Sequence, residues 1–209
     1  MIFMHLAALI ILIVTSVFPE VRAQSQTPPK TLIILGDSLT EGYGVAQKSA
    51  FPALLQEKAT TDKLGWKIVG AGSSGSTSAS GLQRIKWLAK SKPNMVLLLL
   101  GSNDGLRGIS TSETEKNLNA TIAWAKENKI EVLLGQLYMP PNYGKKYTDD
   151  FAKIYSSVAK KNKIPLLGFL LEKVAGRADL NLADGIHPNE KGHQIIADQM
   201  YKELKTYLK

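Results

Sequence analysis

The 209-residue chain contains no cysteine. That excludes disulfides and thiolate metal sites; it is compatible with an oxidising compartment without requiring one. Histidine is scarce: of three, only His187 and His193 lie beyond the apolar N-terminal segment. Two histidines without carboxylates at ligand spacing make a poor metal site, so no metal and no cofactor are expected. The formal net charge is +8, yet no basic block and no basic stripe interleaved with aromatics occurs. Nucleic acid is therefore not expected as a partner. The lysines are scattered as on a solvated surface, where they favour at most a weak attraction to anionic surfaces or substrates. Internal repeats, low-complexity tracts and a second-domain linker are also missing. What remains, 44% hydrophobic and 21% charged residues, is the balance of one globular domain with a full core.

The longest apolar run stands at the start, from Ile2 to Phe18. Val21 and Ala23 come next as the small residues of a cleavage site. This predicts a signal peptide over residues 1–23, a polar linker over 24–30 and an exported domain over 31–209, periplasmic or secreted. The leading residues lack Lys and Arg, and about 17 apolar residues reach the lower edge of a membrane span, so an uncleaved anchor is the alternative. Without cysteine, a lipid-modified cysteine is excluded.

Further on, apolar runs alternate with amphipathic stretches. Strands are expected over Leu32–Leu35, Lys67–Val69, Met95–Leu100, Val132–Leu137 and Ile164–Leu170. Helices are expected over Ala50–Asp62, Gly81–Lys90, Ser112–Asn128, Thr148–Asn162 and Glu190–Leu208. The strand runs are continuously apolar, as in parallel strands covered on both faces. The expectation is an α/β fold: a flavodoxin-like three-layer α/β/α sandwich around a five-stranded parallel sheet. Ligands in such sheets sit beyond the carboxyl ends of the strands. There the chain places Gly36-Asp37-Ser38, Ser74-Gly75 and Asn103-Asp104, all with turn chemistry that lets backbone approach a ligand.

A serine hydroxyl needs a base to become nucleophilic. Histidine suits that role near neutral pH, and a carboxylate on its other nitrogen orients it. Asp184 stands three residues before His187, and Pro188 keeps His187 out of a helix interior. Both therefore share a loop in which the carboxylate folds back onto the imidazole. His193 falls inside the last expected helix and reads as a half-buried packing residue. Asp37 reads as an Asx-type turn residue, Asp104 as a cap or supporting group, and Arg107 as a loop residue without an assigned role. The stretch Gly70 to Gly75 has the composition of a dinucleotide loop, but no acidic ribose ligand stands about twenty residues on.

Four segments carry a family resemblance. "GDSLTEGYG" resembles the first block of the GDSL, or SGNH, hydrolases. "GAGSSGSTSASGLQRI" is similar to the second block, "LLLLGSNDGLRG" to the third and "DGIHPN" to the last, in the family's order from Gly36 to Asn189. The resemblance implies Ser38 as nucleophile, His187 as general base and acid, and Asp184 as its orienting carboxylate. It also implies an oxyanion hole of the Ser38 N–H, the Gly75 N–H and the Asn103 side chain. "NDGLRG" and "PPNYGKKY" resemble the exported bacterial acyl-thioesterase, lysophospholipase and arylesterase subgroup. The implied activity is hydrolysis of acyl esters and thioesters, with a carbohydrate O-acetyl esterase or carbohydrate-binding protein as the alternative. A groove lined by Leu39, Leu106 and Tyr143 would favour acyl chains, and the Met139–Tyr147 loop is expected to wall it. The expected partner is a small-molecule ester or thioester, the membrane is met only transiently through lipid substrate, and the chain is expected to be a monomer. The pattern departs from its relatives at Gly72, Ser73 and Ser102, beside the expected oxyanion hole. Ser38 lacks the G-x-S-x-G elbow of the α/β-hydrolases.

Overall fold

The structure, a computed structural model, describes residues 28–209. The expected signal peptide and most of the linker lie outside the described residues. The apolar runs become strands β1 (Lys30–Gly36), β2 (Trp66–Ala71), β3 (Met95–Leu99), β4 (Glu131–Gln136) and β5 (Leu166–Phe169). All pair in parallel, in the order β2-β1-β3-β4-β5. Leu32 of β1 is level with Ile68 of β2 on one side and Met95 of β3 on the other.

The three inner strands are buried along almost their whole length. A residue there is covered by helices above and below, which is why these runs are apolar without alternation. The edge strands β2 and β5 alternate between buried and accessible positions. β5 is also shorter than its apolar run, because its pairing with β4 shifts register at Gly135 and Gln136.

The helices are α1 (Ser38–Glu41), α2 (Phe51–Thr61), α3 (Gly81–Leu88), α4 (Ser102–Leu106), α5 (Thr111–Glu127), α6 (Lys145–Asn162) and α7 (Glu190–Leu204). α2 packs on α7, while α3, α5 and α6 pack side by side. Right-handed crossovers place these two sets on opposite faces of the sheet. The fold is the expected three-layer sandwich. Besides β5, several features differ from expectation. α6 begins at Lys145 rather than Thr148 and takes in the end of the expected Met139–Tyr147 loop. α7 stops at Leu204 and the chain turns, still burying Leu208. The short helices α1 and α4 form where the sequence shows only turn-like composition. Residues 170–189 cross from β5 to α7 with a single 3-10 turn at Ala178–Leu180 and a bridge between Asn181 and Pro188.

Candidate active site

The strand order reverses between β1 and β3, the place where sheets of this type open a crevice. β1 ends in Gly36-Asp37-Ser38, and β3 leads into Gly101-Ser102-Asn103. Asp37 caps α1, accepting the Leu39 N–H at 3.0 Å, so the Asx-type turn forms as expected. That cap sets Ser38 as the first residue of α1, half-buried. Asp37 itself is 1% exposed. Burial raises its pKa, against the Leu39 N–H and the Ser102 hydroxyl, which favour the anion.

The 170–189 segment delivers the partners. His187 Nε2 lies 2.9 Å from Ser38 Oγ, and His187 Nδ1 lies 2.8 Å from Asp184 Oδ2. Asp184 Oδ1 also accepts the backbone N–H groups of Ile186 and His187, each at 3.0 Å. Desolvation disfavours the Asp184 anion, but these hydrogen bonds outweigh it and hold the carboxyl at about pKa 2. Three residues 149 positions apart in chain at the extreme are thereby in one hydrogen-bonded line.

Nothing in the residue pattern marks Tyr43, yet its ring packs on His187 with centroids 4.6 Å apart. Next to it, Gly44 adopts φ +79°, and a Cβ there would lie 2.3 Å from Leu182 Cδ1. The missing side chain lets the loop after α1 dock against the loop that carries Asp184 and His187. Leu182 in turn holds that loop by donating its N–H to the His187 carbonyl at 2.7 Å.

The second loop is clasped from two sides. Glu41 accepts the Ser74 N–H at 2.7 Å and also the Ser74 hydroxyl. Arg107 donates to the Gly75 carbonyl at 3.0 Å, which gives this residue a task the sequence left open. Gly75 has φ +74°, a conformation that L side chains rarely adopt. Neither the Ser38 N–H nor the Gly75 N–H has an acceptor among the described residues. Asn103 Nδ2 donates to the Ser76 carbonyl at 3.1 Å and reaches Asp37 Oδ2 only at 3.5 Å. Asp104 is no helix cap: fully buried, it accepts the Ser78 N–H at 2.7 Å, the Ser78 hydroxyl and the Thr114 hydroxyl at 3.2 Å. It ties the Gly75 loop to α4 and α5. The dinucleotide reading fails because no helix opens at the glycines: the next helical turn begins only at Ser78.

The expected groove residues separate. Leu39 is buried in the hydrophobic core, a correction to its expected place on a groove wall. The amphipathic turn of α1 points it at the sheet. Leu106 is half-buried, and its carbonyl accepts the Tyr143 hydroxyl at 3.3 Å. Tyr147, already in the first turn of α6, donates to the Ile109 carbonyl at 2.9 Å, so the 139–147 segment is tied to the chain just after Asn103. A cavity of about 630 Å³ opens there between Gly108, Tyr143, Lys145 and Tyr147; Ser38 is not among its walls.

His193 is fully buried rather than half-buried. Its Nδ1 accepts the Phe51 N–H at 3.2 Å, supplying α2 with the N-terminal acceptor that Ala50 lacks. Burial, then the nearby His187, lowers its pKa to about 4. The unfolded chain binds this proton from about pH 6.5 downward, whereas the folded chain resists it. Stability from His193 is therefore complete above about pH 6.5 and falls by roughly 3 kcal/mol as the pH drops toward 4. Thermal melts should lose stability over that window in the parent and markedly less in His193→Gln; matching profiles would remove His193 as the cause.

The profile of the GDSL-like Lipase/Acylhydrolase family matches residues 34–195. The chain belongs to that family. Several curated relatives align with most of it. It is 42% identical over 176 residues to Thioesterase 1/protease 1/lysophospholipase L1 of Escherichia coli (strain K12), covering 84% of this chain and 83% of that protein. It is 36% identical over 184 residues to Esterase TesA of Pseudomonas aeruginosa, covering 88% of this chain and 92% of that protein. Among solved structures, the psychrotrophic esterase EstA from Pseudoalteromonas sp., inhibited by monoethylphosphonate, superposes with a TM-score of 0.82 at 34% identity. That match covers 86% of this chain and 98% of the other. This GDSL hydrolase is a serine ester hydrolase, and its parallel α/β fold is that of its solved relatives.

Proposed function

We propose that this hydrolase cleaves acyl esters and thioesters through an acyl-enzyme on Ser38. The observation that carries the reading is the line Ser38 Oγ, His187, Asp184, with contacts of 2.9 and 2.8 Å. His187 Nε2 takes the hydroxyl proton as Ser38 Oγ attacks the acyl carbonyl carbon. The imidazolium keeps its Nδ1–H on the ionised Asp184, and Nε2 returns its proton to the departing alkoxide, phenoxide or thiolate. Water, deprotonated by the same nitrogen, then releases the carboxylic acid and restores Ser38.

The carbonyl oxygen becomes an oxyanion between those steps. The Ser38 N–H, the Gly75 N–H and the Asn103 amide are the donors proposed to receive it. The long 3.5 Å contact of Asn103 to Asp37 is at the limit of a hydrogen bond, which favours turning that N–H to a stronger acceptor. Asn103→Ala is expected to lower kcat by about 100- to 1000-fold with little change in KM, as losing one such donor does. Equal kcat in steady-state assays would take Asn103 out of the hole.

Acyl rather than sugar chemistry is favoured by the exposed apolar side chains beside His187: Tyr43, whose ring packs on the imidazole, and Ile186, its neighbour in the chain. Relatives named thioesterase, lysophospholipase and arylesterase support fatty acyl thioesters, lysophospholipids and aryl esters as the substrate range. The Met139–Tyr147 segment, tied to the chain just after Asn103, is proposed to border the acyl group. Export rests on the apolar segment and cleavage pattern of residues 1–23. The test is turnover of p-nitrophenyl esters and acyl thioesters of graded chain length. A purified protein that turns over none of them, and that a fluorophosphonate leaves unlabelled, is not the enzyme proposed.

A further inference from the structure

Between Asp62 and Asp104 the sequence has no acidic residue, while Lys63, Lys67, Arg84, Lys86, Lys90 and Lys92 all fall in that interval. Arg84 turns inward and donates to the carbonyls of Gly36, at 2.8 Å, and Ala71. The five lysines are exposed, and among the described residues none pairs with a carboxylate. Lys63 and Lys67 stand just before and within β2, Lys86 in α3, and Lys90 and Lys92 in the turn that follows it. β2 is an edge strand, and α3 is the end member of its helix layer, with α5 on one flank and, among the described residues, no helix beyond it.

In the same helix as Lys86, Trp87 is 68% exposed. It borders a cleft of about 430 Å³ with Leu88, Gln83, Arg84, Ala71, Gly72 and Ser73. An indole left in water beside an apolar cleft forfeits burial that a folded chain ordinarily gains. Catalysis as proposed uses none of these side chains.

We propose that the β2–α3 edge docks on an anionic phospholipid surface, with Trp87 seated at headgroup depth and the unpaired lysines over the lipid phosphates. The charge is complementary, and each lysine near such a surface adds to the attraction. Trp is the side chain best suited to the boundary, with an apolar body and one N–H for the wet side. A nucleic acid would match the charge alone; the indole and apolar cleft favour lipid.

The experiment is co-sedimentation with phosphatidylcholine vesicles containing one quarter phosphatidylglycerol, against pure phosphatidylcholine vesicles, at low and high salt. Binding is expected only to the anionic vesicles and is expected to weaken with salt. Trp87→Ser and the pair Lys86→Glu, Lys90→Glu should each weaken it by about tenfold or more. The fluorescence of the parent should shift to the blue on binding, since Trp66 is already buried and Trp124 half-buried. All three positions are exposed, so melting temperature and p-nitrophenyl acetate hydrolysis should stay at parent values. No binding to anionic vesicles, equal binding by the variants, or retention only on duplex DNA would each overturn the proposal. A protein that binds vesicles but hydrolyses no ester would leave the docking surface standing and overturn the proposed catalysis instead.

Discussion

Replacing Ser38 by alanine is expected to lower p-nitrophenyl ester hydrolysis by about 10⁵- to 10⁶-fold, the scale on which serine hydrolases lose turnover with their nucleophile. The change removes one oxygen and leaves its surroundings intact. The Ser38 N–H persists, because it belongs to the backbone, and the cap of α1 is Asp37 rather than Ser38. The melting temperature should therefore hold while turnover falls. His187→Ala should cost about as much, and the double variant little more than either, because one proton transfer needs both groups. A fluorophosphonate should label the parent and leave Ser38→Ala untouched. Turnover that survives the substitution would sink the proposed mechanism.

Asp184→Asn is expected to cost about 10³- to 10⁴-fold in kcat. In the parent, Asp184 Oδ1 receives two backbone N–H groups and Oδ2 receives the imidazole Nδ1–H. An asparagine has one oxygen for these two jobs. Leaving that oxygen on the two backbone donors turns the NH₂ group toward Nδ1. The imidazole must then accept at Nδ1 and carry its proton on Nε2, where it faces Ser38 Oγ and can no longer take a proton from it. The loss should fall on kcat with KM near the parent value. Because Asp184 titrates at about 2, its carboxylate remains ionised through the mildly acid range. Its contribution to stability is present above the ordinary carboxylate pKa of about 3.9 and disappears only as the pH falls through its own lower value. A kcat equal to the parent's in Asp184→Asn would show that tautomer control by this residue is dispensable.

Most of the architecture is legible in the residue pattern. Continuous apolar runs separated by amphipathic stretches predict a parallel sheet between helix layers, and five strands form where five were expected. Boundaries moved where pairing decides them, as at β5, which loses residues at both ends next to the register shift at Gly135 and Gln136. α4 could not be foreseen, because Ser102-Asn103-Asp104-Gly105 favours turns locally. It is held in a helix by the buried Asp104, which bonds Ser78 and Thr114 from other elements. His193 shows the same limit. Its period placed it on a helix, but only packing against α2 makes it a buried hydrogen-bond acceptor with a depressed pKa.

The choice of chemistry was written in the order of residues. Ser38 at a strand end and a single Asp-x-x-His loop supply a hydroxyl, a base and its orienting carboxylate, and the four family blocks imply acyl transfer on them. Such inference works from residue type and spacing, which set local turns and available protons. Glu41 and Arg107 gripping the Gly75 loop, Tyr43 covering His187 and Leu39 withdrawn into the core were beyond its reach. Each depends on side chains from separate segments meeting across the sheet, and those meetings arise from the folded packing of all layers at once rather than from any stretch of chain read alone.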